Sequence, residues 1–578
     1  MMNFNMIRIN MADLTVSPEL LSEAYQGLGG RGLTSAVVSR EVPPRCSPLG
    51  ARNKLVFAPG LLGGTRCPNS GRISVGAKSP LTQTIKESNS GGQAGQYLAR
   101  LGIGALVVEG LPEDDGALYL LHVDLEGARL IPADELRGYG NYDTAKWVRE
   151  KYGDKIALVS IGPAGEHKMT SASVAFTDRE FRPTRHAGRG GMGAVMGSKG
   201  LKAIVIDPSG SKKVPLVDAD GFKRAATKFA KILAGHPVTG DAIPKYGTPY
   251  LINVINEAGA LPTRNYREGN FEGAEKISGE TLREIIKARK GILAHGCMTG
   301  CIIRCSAIYM DSEGAYLTKR PEYETLCLWG SNCGIDDPDA IARIDRACDD
   351  LGVDTIETGS AVAVAMEGNL IPFGDADGAE RLMDEMRRLT PLGRILLSGA
   401  EASGKAFGVR RVPAVKGQAM AGYDPRALKG YGATYALSTM GADHTAGITL
   451  APNLMGPVFG LESKGQAELS MNVQIKTAAL LDTTGICLFA NGPINQNPEA
   501  LAAVVDMINA MHGLNYTPED LDKMGRRILS MERDFNKRAG FTSVHDRLPD
   551  FFLHEPLPPH NTVFDVPDTD LDEVWKSQ

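Results

Sequence analysis

Three cysteines, Cys297-x3-Cys301-x3-Cys305, constrain the fold of this chain more than any other feature. The 578 residues hold nine cysteines, an odd number. Six lie between Cys297 and Cys348, with Cys46 and Cys67 before them and Cys487 after. A secreted disulfide framework spaces cysteines along a short chain; a close group in a long chain reads as metal binding. Met1–Asn10 shows no apolar stretch and no small-residue cleavage site, and no run of about 18 apolar residues occurs. A cytoplasmic protein with no membrane span is therefore expected. On a helix, positions i, i+4 and i+8 stay within about 80° of one another, so one helical face would carry all three thiolates. Iron–sulfur clusters and structural zinc both take four soft ligands. The fourth has to come from elsewhere, and the isolated Cys487 is a candidate. The plainer reading is three buried structural cysteines, because free cysteine is often buried.

A chain this long exceeds a single core and suggests three or four domains. Residues 1–207 alternate β-type runs (Lys54–Ala58, Ala105–Val108, Leu118–Val123, Ile156–Ile161, Lys202–Asp207) with Gly-rich turns, which predicts a β-rich domain. Val214–Asp220 resembles a linker. Beyond it Phe222, Ala225, Ala226, Phe229, Ala230 and Leu233 recur at helical spacing, as do Ile341, Ile344, Ala347, Cys348 and Leu351 before Gly352. Residues 208–408 read as a helical domain carrying the clustered cysteines. Residues 409–578 read as a second one, beginning with a β-like stretch at Arg410–Val415 and a Gly-rich loop region at Gly430–Gly447. The class is α+β. The net charge of −5, without a long basic block, argues against nucleic acid as a partner.

Three further patterns carry chemistry. Gly188-x-Gly190-x-x-Gly193 matches the dinucleotide fingerprint, but that motif needs a strand before it and a full helix after it. Polar Thr177–Thr184 precedes it and only Ala194–Lys199 separates it from the next strand, too little for a crossover helix. A phosphate-holding loop with Arg185 and Arg189 is the remaining functional reading, against a structural turn. Asp349 and Asp350 sit in the last turn of a helix, where the dipole disfavours negative charge. Asp354 caps the next helix, with Glu357 placed to complete a capping box. That leaves Asp349 without a structural reason, and donors on a heterocycle would supply one. Glu322, Glu324 and His444 are each ordinary surface groups unless a common pocket makes them an acid–base set.

Asn69-Ser-Gly-Arg72, Lys78-Ser-Pro80, Ser88-Asn-Ser-Gly-Gly92, Ile161-Gly-Pro-Ala-Gly-Glu166, Gly188 through Lys199, Pro321-Glu-Tyr-Glu324, Leu351-Gly-Val-Asp-Thr-Ile356 and Asp482-Thr-Thr-Gly-Ile-Cys487 together resemble the tungsten aldehyde:ferredoxin oxidoreductases. The resemblance keeps its order over nearly the whole chain. It implies an N-terminal β base, two helical domains above it, and a tungsten bis-pyranopterin with a four-iron cluster between the layers. It also implies that Arg72, Asn89, Gly91, Arg185, His186, Gly188 and Arg189 contact the pterin phosphates and their bridging magnesium. Asp349, Val353 and Asp354 would border one pterin, and Asp482 and Leu488 the other. Glu324 and His444 fall on the family's two active-site polar residues, Cys301 and Cys305 on two cluster cysteines, and Cys487 on the fourth. His186 replaces a family alanine. Met298 stands at the usual first-cysteine position, with Cys297 one residue earlier, so Cys297 needs a local bulge to reach iron. Arg343 replaces the Glu of a Glu-x-x-His pair that binds iron between subunits in some relatives, so that bridging iron is not expected and homo- or hetero-oligomer both stay open.

The implied reaction is oxidation of an aldehyde to a carboxylic acid, with tungsten or molybdenum at the centre and electrons leaving to a ferredoxin or polyferredoxin-like subunit. Two alternatives are a low-potential aromatic acyl-CoA reductase subunit, as in some relatives, and a zinc-stabilised, non-enzymatic scaffold on Cys297, Cys301, Cys305 and Cys487.

Overall fold

The structure, a computed structural model, describes residues 4–456 and 458–576. Met1–Asn3, part of the segment read above for an export signal, lie outside the described residues. The first two hundred residues form two six-stranded sheets. The first contains β1 (Asn5–Asn10), β2 (Thr15–Leu20), β3 (Leu55–Pro59), β4 (Ile73–Lys78), β5 (Ile85–Ser90) and β6 (Ile103–Glu109), in the order β2-β1-β6-β3-β4-β5. The second contains β7 (Tyr119–Asp124), β8 (Gly127–Pro132), β9 (Ala157–Ser160), β10 (Val174–Phe176), β11 (Arg185–Ala187) and β12 (Leu201–Ile206), in the order β11-β10-β9-β12-β7-β8.

The central strands read as continuous apolar runs because both their faces are covered. Leu55 and Phe57 of β3 share one core with Leu121, Ile204 and the short helices Ala94–Arg100 and Met192–Ser198, which lie between the sheets. Val56 and Ala58 point the other way, onto Leu33 and Val37 of the helix Gly30–Glu41. In β12, Ala203 and Val205 meet Val148 of the helix Asn141–Tyr152 on the outer face of the second sheet. All five β-type runs expected from the sequence are strands.

From residue 219 the chain is mainly helical. Asp218 caps the helix Ala219–Gly235 by accepting from Gly221 N, and Phe222, Ala225, Ala226, Phe229 and Leu233 all bury against the helix Pro498–His512. The helix Pro338–Leu351 ends at Gly352, whose φ of +76° suits glycine. A small antiparallel sheet, β13 (Ile292–His295), β14 (Ser306–Met310) and β15 (Tyr316–Lys319), interrupts the helices. Among the described residues no helix is long and apolar enough to cross a membrane.

Three local expectations need correction. The segment Cys297–Cys305 is an irregular loop after β13, not a helix. The Gly430–Gly447 stretch begins as a buried helix, Lys429–Leu437. Its Gly432 serves packing rather than a turn, since a Cβ there would stand 2.3 Å from the Phe564 ring. The capping box at Asp354 does not form: Asp354 accepts from Ile356 N, but Glu357 turns away to accept from Ala400 N and Ala419 N.

One buried ion pair ties the base to the helical part. Arg31 makes a bidentate pair with Glu532, Nε and Nη2 donating at 2.9 and 2.8 Å, while Nη1 reaches Asp482 at 3.1 Å. Ser35 and Thr439 hydroxyls also donate to the Glu532 carboxylate. Arg31→Met strands Glu532 without its cation and is expected to cost about 3–5 kcal/mol, read as a fall in the urea midpoint. Arg31→Met/Glu532→Leu should recover most of that loss; an equal or larger loss in the double variant would show that the pair is not the source.

Candidate active site and cysteine centre

A backbone strap from the C-terminal part completes the site. Thr483 O and Thr484 O accept from Leu61 N and Leu62 N at 3.0 and 3.1 Å, and Gly485 O accepts from Arg72 N at 3.2 Å. The approach is close enough that a Cβ on Gly60 would lie 2.2 Å from Gly485 N. Asn69, fully buried and in the left-handed region at φ +59°, joins the strap to the cysteine loop. Its carbonyl accepts from Cys487 N at 2.8 Å and its N–H donates to Gly300 O at 3.0 Å. Its Oδ1 accepts from Ile302 N at 3.1 Å, and its Nδ2 lies 3.7 Å from Cys301 Sγ.

Cys297, Cys301, Cys305 and Cys487 thereby converge, all of them free thiols. Cys297 packs with Cys487 and the fully buried Met298, so the irregular loop brings Cys297 into the group despite its one-residue offset. The Cys297 thiol is pulled down to about 6 by the hydrogen bond from Cys301 and by Arg185 and Arg72, against its burial. Burial pushes the Cys305 and Cys487 thiols up. Among the described residues, no three of these sulfurs lie within 4.8 Å of one another. Cys327, Cys333 and Cys348 belong to the helical core instead.

Beside the cysteines a cavity of about 320 Å³ opens between the β base and the helical part. A Cβ on Gly91 in its wall would meet Cys297 Sγ at 3.0 Å. Arg72, Asn89 and Gly91 line it from the end of the first sheet, and Arg185, His186, Gly188 and Arg189 from β11 and the loop after it. Glu324, Asp349, Val353 and Asp354 enter from the middle of the chain, and His444, Asp482 and Leu488 from its last third. All fourteen non-cysteine positions singled out from the sequence therefore share one wall. Several polar atoms there are buried with no hydrogen-bond partner in the protein: Glu87 Oε1, Arg185 Nε, Glu324 Oε1 and His444 Nδ1. A cavity rich in buried, unpaired donors and acceptors fits a highly polar cofactor.

Its electrostatics divide into paired and unpaired groups. Lys319 donates to both Asp345 and Asp349, with its closest oxygens at 2.8 Å. Burial would raise Asp349, but Lys319 and His186 outweigh it and hold the group below the usual carboxylate range. The His186 ring lies between Ser173 Oγ at 2.8 Å and Asp349 Oδ1 at 3.1 Å, a contact the family's alanine would not make. Arg189 meets Asp354 at 3.2 Å. Glu324 has no such cation against it. Its Oε2 accepts from Gly422 N at 2.8 Å, and its Oε1 faces His444 Nε2 at 3.4 Å. Tyr266, Tyr323, Tyr423, Tyr431 and Tyr435, all buried, lie close by. Burial raises Glu324 to about 7 and lowers His444 to about 4. Near neutral pH the imidazole is uncharged and the carboxyl is poised between its two forms.

Glu322 does not share a pleat with Glu324. It caps a single helical turn, Tyr323–Thr325, and is engaged by the Thr248 hydroxyl at 2.5 Å, with Arg185 Nη1 at 3.7 Å. Sequence reasoning missed Glu87, Lys319, Asp345 and Asp443, all of which line the cavity. Asp345 had a readable signal, since it lies among Ile341, Ile344 and Cys348 on the buried face of its helix. Asp443 pairs with the buried Lys86, a contact between residues far apart in sequence. Asp178, Glu180 and His295 offer ligand atoms within 4.8 Å of one another. Arg182 Nη1 lies 3.9 Å from Asp178 Oδ2 and Arg185 acts on the same carboxylate, so protein cations already balance that group.

A buried acid and an uncharged imidazole share one polar cavity with four thiols at its edge, an arrangement suited to an oxidoreductase. The chain belongs to the aldehyde ferredoxin oxidoreductase family and is an enzyme. Residues 6–208 match that family's N-terminal domain, and residues 224–577 match its domains 2 and 3. It is 34% identical over 577 residues to the tungsten-containing aldehyde ferredoxin oxidoreductase of Pyrococcus abyssi, covering 96% of this chain and 91% of that protein. The enzyme of the same name from Thermococcus kodakarensis shares the same identity and coverage. A Pyrococcus furiosus aliphatic sulfonate oxidoreductase WOR-like subunit is 26% identical, covering 92% of this chain and 85% of that one. The solved active-site complex BamBC of benzoyl coenzyme A reductase has the same fold, with a TM-score of 0.80 over 100% of this chain and 94% of that one at 19% identity.

The Gly188–Gly193 loop is not a dinucleotide turn. β11 runs antiparallel to β10, β10 to β9 and β9 to β12, so β11 and β12 are antiparallel to each other. The seven-residue helix Met192–Ser198 between them is no parallel crossover. Titration of NADH into the loaded enzyme is expected to show no specific micromolar binding, and saturable binding there would contradict this reading of the loop.

Proposed function

We propose that the chain is a tungsten bis-pyranopterin enzyme, with molybdenum as the alternative metal, that oxidises an aldehyde to a carboxylic acid and passes electrons through a 4Fe–4S cluster to a ferredoxin or ferredoxin-like subunit. The observation that carries this reading is the buried Glu324–His444 pair on the wall of a cavity that also meets Cys297. In it, the three arginines Arg72, Arg185 and Arg189, with Asn89, Gly91, His186 and Gly188, would hold the pterin phosphates and their magnesium. Asp349, Val353 and Asp354 would border one pterin, and Asp482 and Leu488 the other. Cys297, Cys301, Cys305 and Cys487 would hold the cluster.

The reaction takes an aldehyde and water to a carboxylic acid, two protons and two electrons. The bound metal and pterin supply the two-electron chemistry. The protein supplies the proton handling. Gly422 N–H fixes Glu324 Oε2, which leaves Oε1 as the atom that accepts a proton from attacking water. The uncharged His444 ring donates to the carbonyl oxygen of the substrate as negative charge grows there. The tyrosine-lined surroundings exclude water and keep both groups near their shifted values.

Glu324→Gln is expected to reduce turnover by about 100-fold or more while metal contents stay normal. Because the base is the carboxylate and burial lifts it to about 7, the wild-type rate should rise with pH through about 7, and that limb should vanish in the variant. Glu322→Gln serves as the control and should retain activity. Loss in Glu322→Gln with none in Glu324→Gln would reject the assignment of the base.

Metal analysis tests the cluster. The purified protein should hold tungsten or molybdenum with about four irons; one zinc with neither would leave only a scaffold. Cys487→Ala should lose iron and visible iron–sulfur absorption. Full retention of a normal cluster in that variant would remove Cys487 from the ligand set.

A further inference from the structure

The four thiols are not equally sheltered. Cys297, Cys305 and Cys487 are buried, whereas Cys301 is half-buried at the outer edge of the group. The residues over it reach solvent: Thr299 and Arg304 are exposed, and Ile302 keeps 40% of its surface. Cys301 therefore marks the short way from the cavity, past Cys297, to the outside.

The surface around this exit is basic, although the chain as a whole is acidic at −5. Arg304 donates its backbone N–H to Cys301 Sγ at 3.4 Å, and its guanidinium meets only the Ala294 carbonyl. Cys67 O lies 3.8 Å from where a Gly300 Cβ would stand, which places the exposed Arg66 beside the cysteine loop. The nearby turn at Gly64 gathers two more cations. A Cβ on it would meet Val214 and Arg100 N, so the exposed Arg100 and Lys213 flank the same turn. Among the described residues none of Arg66, Arg100, Lys213 and Arg304 has a carboxylate within ion-pair distance. Glu180, paired with His295 after the strand that leads into the cysteine loop, and Asp241, paired with Lys245, are already engaged.

We propose that this face, which carries the exposed Ile302 with Arg66 and Arg304 at the cysteine loop and Arg100 and Lys213 at the Gly64 turn, is the docking surface for a small acidic one-electron carrier of the ferredoxin type. The inference rests on the cluster reading above and adds where the electron leaves. Unpaired cations around an exposed apolar residue steer an oppositely charged partner and then exclude water at the contact. Each transfer moves one electron from the enzyme's reduced centre to the oxidised cluster of the carrier, and no proton has to accompany it.

Holoenzyme reduced with dithionite and desalted is mixed in stopped flow with an oxidised acidic ferredoxin, or with neutral benzoquinone, which takes two electrons and two protons. Ferredoxin binding is measured in parallel by titration calorimetry. In the wild type the ferredoxin rate should fall steeply with ionic strength, while the benzoquinone rate should not. Arg66→Glu/Arg100→Glu should slow ferredoxin reduction about 10-fold or more at low salt, weaken binding by a similar factor and flatten the salt dependence. Its benzoquinone rate should stay within about two-fold. Lys213→Glu/Arg304→Glu is the independent second pair and should show the same selective loss. Unchanged ferredoxin rate, affinity and salt dependence in both pairs would overturn the proposal, as would equal losses with benzoquinone in both. Salt-sensitive self-association through this face, abolished by the same substitutions, would assign the surface to a second copy and also overturn it. A wild type without iron that reduces neither acceptor would bring down the cluster reading and this inference together.

Discussion

Asn69 holds the cysteine centre together. Its backbone and side chain bond at once to the loop that bears Cys301 and to the strap that bears Cys487. The residue does this from a left-handed conformation that asparagine tolerates better than most side chains. The strap in turn depends on the glycine-to-glycine contact of Gly60 and Gly485. A loop of the β base thus sets where two distant cysteines stand. The same loop ends at Arg72, so the cavity floor is fixed by the contacts that fix the thiols.

Charge organises the rest. Burying many ionised groups together is costly unless each has its partner. Most of the cavity's carboxylates have one: Asp349 has Lys319, Asp354 has Arg189, Asp443 has Lys86 and Asp482 has Arg31. Glu324 departs from the pattern. It receives one backbone N–H, a nearby histidine and a wall of tyrosines, and it is lifted toward neutrality for that reason. Glu87 is raised to about 7 as well, by burial and by Asp482, with Arg31 opposing. One cavity thus holds carboxyl groups in different protonation states.

Much of this was legible beforehand, for physical reasons. Strands buried on both faces leave apolar runs, so β3, β6, β7, β9 and β12 could be found from composition alone. The helix Ala219–Gly235 shows its buried stripe and its Asp218 cap directly. Of the fourteen cavity positions, Arg185, Arg189, Asp349, Asp354, Glu324 and His444 stood out as residues, and the rest came from resemblance, because residues that meet across the layers leave no local pattern. Spacing misled at the cysteines, where an i, i+4, i+8 series matches a helical face but the chain forms a loop pinned by Asn69. Glycine density misled at Gly430–Gly447, where Gly432 makes room for Phe564 inside a helix. Glu322 precedes the helical segment that opens at Tyr323 and Glu324 lies inside it, so the two acids meet different partners, Thr248 and Gly422. Lys319 gave no signal, since its role exists only once Asp345 and Asp349 are brought over it.

The strap has a consequence for how the molecule comes into being. During synthesis the β base and the loop with Cys297, Cys301 and Cys305 emerge long before Cys487. A nascent chain therefore presents three thiols beside an open cavity, with neither the fourth thiol nor Asp482 to close it. That wall closes last, when Thr483–Cys487 pairs with Leu61–Arg72. The order of the genetic message thereby sets the order in which the walls of the cavity can be assembled.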